Sequence, residues 1–224
     1  MSRSRKRKDS NCVTIFKYHL LLGVISCLLS VPSFADQYLN LDDPNTWKMK
    51  QLVKTTLYDV THKSGEPVLT LESKHSAGLF FRMIAVDLKE TPYLNWSWKI
   101  SHIYNNPSEV KRSGDDFPAR VLIVYEEGFV GTDSTGFSFV WASQVSKGTV
   151  WKSPVSENLL MVVNQSGDSH VNQWLTEKVD LKATFKNLLK KNIDRVSYIA
   201  LMADTDDLKE SVTTQFKNIY FSKH

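Results

Sequence analysis

The fold is decided by the stretch Gly114-Asp-Asp-Phe-Pro-Ala-Arg-Val-Leu-Ile-Val-Tyr125 and by its companion Ile199-Ala-Leu-Met-Ala-Asp-Thr-Asp-Asp207. Each is an apolar, partly β-branched run with charged residues at one end, as expected of a buried strand. If the two strands pair side by side and antiparallel, the start of the first meets the end of the second. Arg120 and four or five carboxylates then share one edge of a sheet.

The remaining sequence predicts further short strands separated by turns. Residues 93–100 alternate strictly, so that Leu94, Trp96, Trp98 and Ile100 share one face, which we expect to be core. About ten such strands predict an all-β fold, an antiparallel, jelly-roll-like β-sandwich. We also expect the strand that begins at Trp47 to pair with the last strand, residues 216–221.

One segment breaks the strand pattern and predicts a single short helix near 180–191. Asp180 is a good N-cap, and Leu181, Phe185 and Leu188 recur at helical spacing after it. Lysines at 186, 190 and 191 follow, which suits the negative end of a helix dipole.

The leading segment has the pattern of a secretory signal peptide. Basic residues at 2–8 precede an apolar run at 20–29, which is short for a membrane span, and Ser33 and Ala35 offer small residues for cleavage. We expect residues 1–35 to be a signal peptide and residues 36–224 to form one β-sandwich domain. The predicted location is the bacterial periplasm; full secretion, a lipoprotein anchored at Cys27 and an uncleaved anchor are the alternatives.

The charge balance changes once this segment is set apart. Six of the 28 Lys and Arg and one of the 24 Asp and Glu lie before residue 36, leaving 22 basic and 23 acidic residues. A net charge of −1 argues against nucleic acid as a partner. Both cysteines, Cys12 and Cys27, also lie in the leading segment, so residues 36–224 hold no disulfide. No stable membrane span is expected in residues 36–224.

Several stretches together resemble an exported bacterial family known as domain of unknown function 3047. They are Leu94–Lys99, Gly114–Val121, Val140-Trp141, Met202–Asp206 and Asn218–Phe221. The Asp-Asp and Ala-Arg elements and the Asp-Thr-Asp element are the most specific parts, although Asp207-Leu208 stands where the family commonly has Asn-Thr. The resemblance implies export and a sandwich similar to carbohydrate-binding jelly rolls, and it implies no established activity.

The acidic cluster is the main candidate site, and three interpretations of it stay open. Its candidate ligand-binding or metal-binding residues are Asp115, Asp116, Arg120, Asp204 and Asp206. A calcium ion needs six to eight oxygen ligands, which Asp115, Asp116, Asp204 and Asp206 begin to supply. Two of the carboxylates could instead act as acid and base on a sugar. In the third interpretation Arg120 pairs with one or two acids and the others cap turns.

Tryptophans are the second candidate feature, because exposed indoles are common platforms for sugars. Trp151, between polar loop segments, and Trp141 are the candidates for an aromatic platform. The histidines are scattered without metal-ligand spacing, so no transition-metal site is predicted.

These observations favour a non-catalytic, exported module that binds a glycan or another component of the cell envelope, with calcium as the one cofactor considered. A hydrolase or lyase that uses paired aspartates on saccharides, and an envelope structural protein without a small ligand, are the alternatives. Whether the protein is an enzyme is left open.

Overall fold

The computed structural model describes residues 36–125 and 135–224. The predicted signal peptide, residues 1–35, lies outside the described residues. The described residues contain thirteen strands: β1 (Gln37–Tyr38), β2 (Lys48–Val53), β3 (Leu57–Lys63), β4 (Glu66–Lys74), β5 (Ala77–Asp87), β6 (Tyr93–Ile100), β7 (Arg120–Val124), β8 (Gly136–Ala142), β9 (Val150–Lys152), β10 (Leu159–Ser166), β11 (Leu175–Asp180), β12 (Arg195–Asp204) and β13 (Ser211–Ser222).

The strands form two sheets. The first has the order β11-β6-β13-β4-β3, with β1 also paired to β13, and the second has the order β2-β5-β12-β7-β8-β10-β9. All pairs are antiparallel except β8 and β10, which run parallel. The predicted all-β, jelly-roll-like antiparallel sandwich is confirmed, with that one parallel pair added.

Large aromatic side chains fill the space between the sheets. Trp96 and Trp98 point inward from β6 and are fully buried, as the alternation predicted. Trp96 meets Phe139 of the other sheet at 5.7 Å between ring centroids, and Trp98 meets Trp141 at 5.8 Å. Burying roughly 150–250 Å² per ring contributes on the order of 4–6 kcal/mol each before entropy is subtracted. Core burial therefore stabilises a domain that has no disulfide.

The central pairing predicted from the sequence is confirmed. β12 runs antiparallel to β7, with Met202 opposite Arg120 and Tyr198 opposite Val124. The start of β7 and the end of β12 consequently lie at the same edge of the seven-stranded sheet. This register brings Arg120 and Asp204 together.

The short helix near 180–191 is also confirmed. A single α-turn, α1 (Leu181–Thr184), continues into a π-helical turn at Phe185–Leu189. Asp180 caps it, since its Oδ1 accepts the N–H of Ala183 at 2.8 Å. Lys190 adopts a left-handed conformation with φ of 58°, which ends the helix one residue after Leu189.

The expected pairing between the Trp47 strand and the last strand is wrong. β2 belongs to the seven-stranded sheet, where it pairs with β5, and Gln37–Tyr38 is the segment that pairs with β13. Met49 faces the core while Lys48 and Lys50 face outward, and an alternation of this kind does not identify the partner strand. No helix in the described ranges is both long enough and apolar enough to cross a bilayer.

Candidate functional site

The outer face of the seven-stranded sheet, turned away from the six-stranded sheet, carries the candidate site. Along β7, Val121 and Ile123 point into the core, while Arg120, Leu122 and Val124 point outward. A cavity of about 270 Å³ lies over these outward residues. We call it the outer groove; its walls are Leu52, Val53, Ala77, Leu79, Leu122, Val124, Val155, Ser156, Leu159 and Met202, and its polar end is Asp115, Arg120, Asp204, Asp206 and Asp207.

Arg120 and Asp204 form a buried, two-pronged ion pair at the polar end. Arg120 Nε donates to Asp204 Oδ1 at 3.1 Å, and Nη2 donates to Oδ2 at 2.5 Å. Nη2 also donates to the backbone carbonyl of Asp115 and lies 3.4 Å from Asp115 Oδ2. The guanidinium sits over the Phe117 ring at 4.7 Å. Planar, bidentate pairing of this kind fixes both partners in one orientation.

Backbone and hydroxyl groups hold Asp204 from the other side. The N–H of Phe117 donates to Asp204 Oδ1 at 2.9 Å, and the Tyr104 hydroxyl donates to the Asp204 carbonyl at 3.0 Å. Burial raises the pKa of Asp204 above its usual range, and the charge of Arg120 acts in the opposite direction. Burial lowers the pKa of Arg120, but the neighbouring carboxylates together outweigh burial and raise it, so Arg120 stays charged.

Asp116 is not among the residues that line the groove, and its side chain holds the loop that follows β12. Its carboxylate accepts the backbone N–H groups of Asp207 at 3.3 Å and Leu208 at 2.6 Å. The side chain is fully buried, and burial raises its pKa although both N–H groups lower it. Asp116 therefore connects the loop before β7 to the loop after β12.

Asp115 differs from the other buried acids because one of its oxygens is unused. Its Oδ1 is buried and has no hydrogen-bond partner among the described residues. Burial raises the pKa of this carboxyl, with Arg120 opposing and the charges of Asp206 and Asp207 adding to the rise. Asp115 lines the outer groove, but its Oδ1 is buried beneath the surface of the groove.

Two residues that shape this end, Tyr104 and Asn106, were missed by sequence reasoning, because they lie in the loop 101–117, which shows no periodicity. Gly114 was quoted in the sequence but was given no role. Asn106 Nδ2 donates to the Gly114 carbonyl at 2.8 Å. A Cβ on Gly114 would lie 2.5 Å from the Ser108 carbonyl oxygen, so only glycine fits there. The signal in the sequence that could have pointed to these residues was the polar character of the loop, together with its Asn and Gly.

A cation could be held by Asp116, Asp204 and Asp206, each of which offers an oxygen within 4.8 Å of the others. The oxygens of Asp116 and Asp204 already accept hydrogen bonds from backbone N–H groups and Arg120. Calcium at Asp115, Asp116, Asp204 and Asp206 stays a prediction.

The two candidate aromatic platforms do not line the groove. Trp141 is fully buried, and its Nε1 donates to the Gly167 carbonyl at 3.0 Å. The prediction of an exposed platform at Trp141 is wrong, because alternation along β8 places it in the core beside Phe139. Trp151 is half-buried and packs on Phe117 at 6.1 Å between ring centroids.

Comparison with known proteins identifies the family. The model of a family described as a protein of unknown function, DUF3047, matches residues 45–220, and the chain belongs to this family. No curated protein matches the sequence.

Three solved structures have a similar fold at low identity. A family 30 carbohydrate-binding module of a Clostridium thermocellum cellulosomal cellulase is 12% identical, with 79% of this chain and 86% of that chain covered and a TM-score of 0.40. The xyloglucanase domain of NopAA from Sinorhizobium fredii is 9% identical, with coverage of 80% and 95% and a TM-score of 0.41. A cellulase derived from Cel12A of Rhodothermus marinus is 11% identical, with coverage of 78% and 90% and a TM-score of 0.44. At these sequence identities and TM-scores, the role of no residue in those proteins is assigned to a residue of this chain.

Proposed function

We propose that this member of the DUF3047 family is a non-catalytic binding protein whose ligand site is the outer groove. One observation carries the proposal. The carboxylates of Asp116 and Asp204 are engaged by backbone N–H groups and by Arg120, whereas the aliphatic groove beside them is open. Carboxylates that are already hydrogen-bonded within the protein stabilise the structure of the site. The exposed apolar walls of the outer groove are the surface that a ligand can cover.

The lining of the groove indicates the chemistry of the ligand. Leu79, Leu122 and Met202 offer aliphatic surface, which gains free energy when an apolar group covers it. The polar end offers the carboxylates of Asp206, which is half-buried, and Asp207, which is exposed, and these suit hydroxyl or amine donors. The ligand is therefore an amphiphile with a hydroxylated or amine-bearing head, such as a glycan head on an alkyl tail. A periplasmic location, predicted from the leading segment, gives access to such envelope components.

The groove walls favour an alkyl segment over a stacked sugar ring. No aromatic side chain is among the described residues that line the groove, and Trp141 is buried in the core. A pure glycan would have to bind through hydrogen bonds at the polar end alone. This distinction separates a free sugar from an alkyl glycoside.

The test is isothermal titration calorimetry of the purified protein with octyl glucoside, below its micellar concentration, and with glucose. Octyl glucoside is expected to bind more tightly than glucose. Leu122→Gln should weaken that binding by about tenfold, equivalent to about 1.4 kcal/mol. Leu57→Gln is the matched control, because Leu57 is exposed on the six-stranded sheet. Absent binding of octyl glucoside, or binding that Leu122→Gln leaves unchanged, would remove the groove as the ligand site and favour a structural role.

A saccharide-acting enzyme is the second candidate, and one observation favours it. The raised pKa of Asp115, on the groove wall, is a property that a general acid requires. Against it, Asp115 and Asp204 both contact the same guanidinium nitrogen rather than facing each other across open space. We expect no release of reducing ends from xyloglucan or carboxymethyl cellulose. If the protein released reducing ends, and Asp115→Asn abolished that release, a catalytic function would replace the proposed binding function.

A further inference from the structure

A second cavity, of about 410 Å³, lies at the edge of the seven-stranded sheet, and its polar lining is basic rather than acidic. We call it the basic pocket. Its lining residues are Asn45, Thr46, Lys48, Lys50, Phe81, Arg82, Met83 and Tyr198. None of these described lining residues is acidic, so the charges that face the cavity are positive.

The strand register explains why the cations converge. β2 pairs with β5, and Lys48 lies opposite Phe81, which puts both on the outer face. β2 begins at Lys48, so β5 continues past it without a partner on that side. Arg82 occupies this open end, where its guanidinium sits 5.6 Å from the centre of the Trp47 ring.

Arg82 is held in place but is not satisfied. Its Nε is buried and has no hydrogen-bond partner among the described residues. Burial lowers the pKa of Arg82, and only the charge of Asp43 acts against that effect. Asp43 Oδ1 already accepts the N–H of Asn45 at 3.0 Å. A buried N–H without an acceptor is costly. The Arg82 side chain as a whole is half-buried and lines the cavity, so an anion in the basic pocket would pair with its guanidinium group.

Apolar side chains flank the cations. Met83 is 70% exposed, and Tyr198 lies directly opposite it on β12. Together with Phe81 they form an apolar wall beside Lys48 and Arg82. An exposed methionine next to two aromatic rings is adaptable surface for an alkyl group.

We infer that the basic pocket binds an anionic group, a phosphate, sulfate or carboxylate, carried on an apolar body. Lys48 and Arg82 hold the anion, while Phe81, Met83 and Tyr198 contact the attached chain. The inference stands apart from the proposed function, because the basic pocket and the outer groove share no lining residue.

The test is calorimetric titration with octyl phosphate below its micellar concentration and with inorganic phosphate. We expect octyl phosphate to bind more tightly than inorganic phosphate. The affinity for octyl phosphate should decrease as the salt concentration rises from about 20 mM to about 200 mM. Arg82→Gln and Lys48→Gln should each weaken binding by about tenfold. Lys63→Gln, an exposed lysine on β3 of the other sheet, is the matched control. Leu122→Gln should leave this binding unchanged, which separates it from the groove.

Lys48→Gln also guards against a folding artefact, because Lys48 is exposed whereas Arg82 packs on Trp47. Vesicles of phosphatidylglycerol and of phosphatidylcholine distinguish the source of the anion. Binding to phosphatidylglycerol vesicles alone, lost in Arg82→Gln, would assign the pocket to a lipid headgroup. Failure of every anionic probe to bind, or equal affinity in Lys48→Gln and the unchanged protein, would overturn the inference.

Discussion

The acidic end of the outer groove and the basic pocket lie on the same sheet, yet their charges are organised in opposite ways. At the acidic end, Arg120 and Asp204 are buried and donate to or accept from each other and the backbone. In the basic pocket, Lys48 is exposed and Arg82 keeps an N–H that has no acceptor within residues 36–125 and 135–224. Charges that are satisfied internally fix a structure, whereas unsatisfied charges are available to a ligand.

The difference comes from the neighbours of each region. A loop in which Asn106 donates to the Gly114 carbonyl leads directly into Asp115 and Asp116 at the acidic end. The basic pocket lies where the edge strand β2 begins, and among the described residues no strand pairs with β5 beyond Phe81 on that side. Mutations at the acidic end should therefore change stability, and mutations in the basic pocket should change binding.

Replacing Arg120 with methionine should have the largest effect. The change removes the cation that balances Asp115 and Asp204 and leaves buried carboxylates unpaired. Breaking a buried pair in this way costs about 3–5 kcal/mol. Urea unfolding at neutral pH measures the loss of free energy.

Arg195→Met is the control for that experiment, since Arg195 is an exposed arginine on β12. Its effect should stay within about 0.5 kcal/mol. Arg120→Lys, which keeps the charge but not the two-pronged geometry, should fall between the two. A loss below about 1 kcal/mol in Arg120→Met would contradict the view that the acidic end is a closed ion-pair network.

Asp116→Ala should have the next largest effect, because two N–H groups, of Asp207 and Leu208, lose their acceptor. We expect a loss of about 1–3 kcal/mol of unfolding free energy. Asp116→Asn keeps one acceptor oxygen and should lose less. Equal stability of the alanine and asparagine variants would mean that the carboxylate is not what holds this loop.

The third prediction concerns how the unfolding free energy depends on pH through Asp115. Its pKa in the folded protein is raised by burial above the usual 3.8, so its protonated form favours folding. The contribution is complete below the unfolded pKa and is lost as pH rises through the folded value. As pH rises from below the unfolded pKa to neutrality, the unchanged protein should lose unfolding free energy relative to Asp115→Asn, which urea unfolding at a series of pH values measures. The opposite sign would show that Arg120 holds Asp115 as the anion.

The sequence was sufficient to predict the ion pair at the centre of the acidic end, but not the loop residues that surround it. Polar residues next to apolar runs predicted that Arg120 and Asp204 would meet, because antiparallel pairing brings the strand ends together. The roles of Tyr104 and Asn106 could not be predicted, since hydrogen bonds from loop side chains to backbone carbonyls leave no periodic pattern in the sequence.

The basic pocket shows the same limit. Lys48 and Lys50 alternate with the apolar residues at 47 and 49 in the sequence, which is typical of a half-buried strand, but alternation does not show which strand lies beside them. Arg82 faces the core side of β5 by register, opposite Ile199, and reaches the cavity only because β2 begins beside it. That consequence of strand length is visible only once the sheet order is known.

Calcium should have the smallest effect on stability, and it tests directly whether the acidic end is closed. Arg120 Nη2 already lies against Asp115 and Asp204, and Asp116 accepts two backbone N–H groups. We therefore expect about 2 mM calcium, compared with a chelator, to change the unfolding midpoint by less than about 1 °C. Binding at a hundredfold excess over Kd would instead add about 2.7 kcal/mol. Asp206→Asn is the informative variant, because Asp206 forms no ion pair with Arg120 and its loss should leave the network intact. A midpoint that rises by several degrees with calcium, but not with magnesium and not in Asp206→Asn, would make this end a metal site, and the contrast with the basic pocket would then be between two ligand sites of opposite charge.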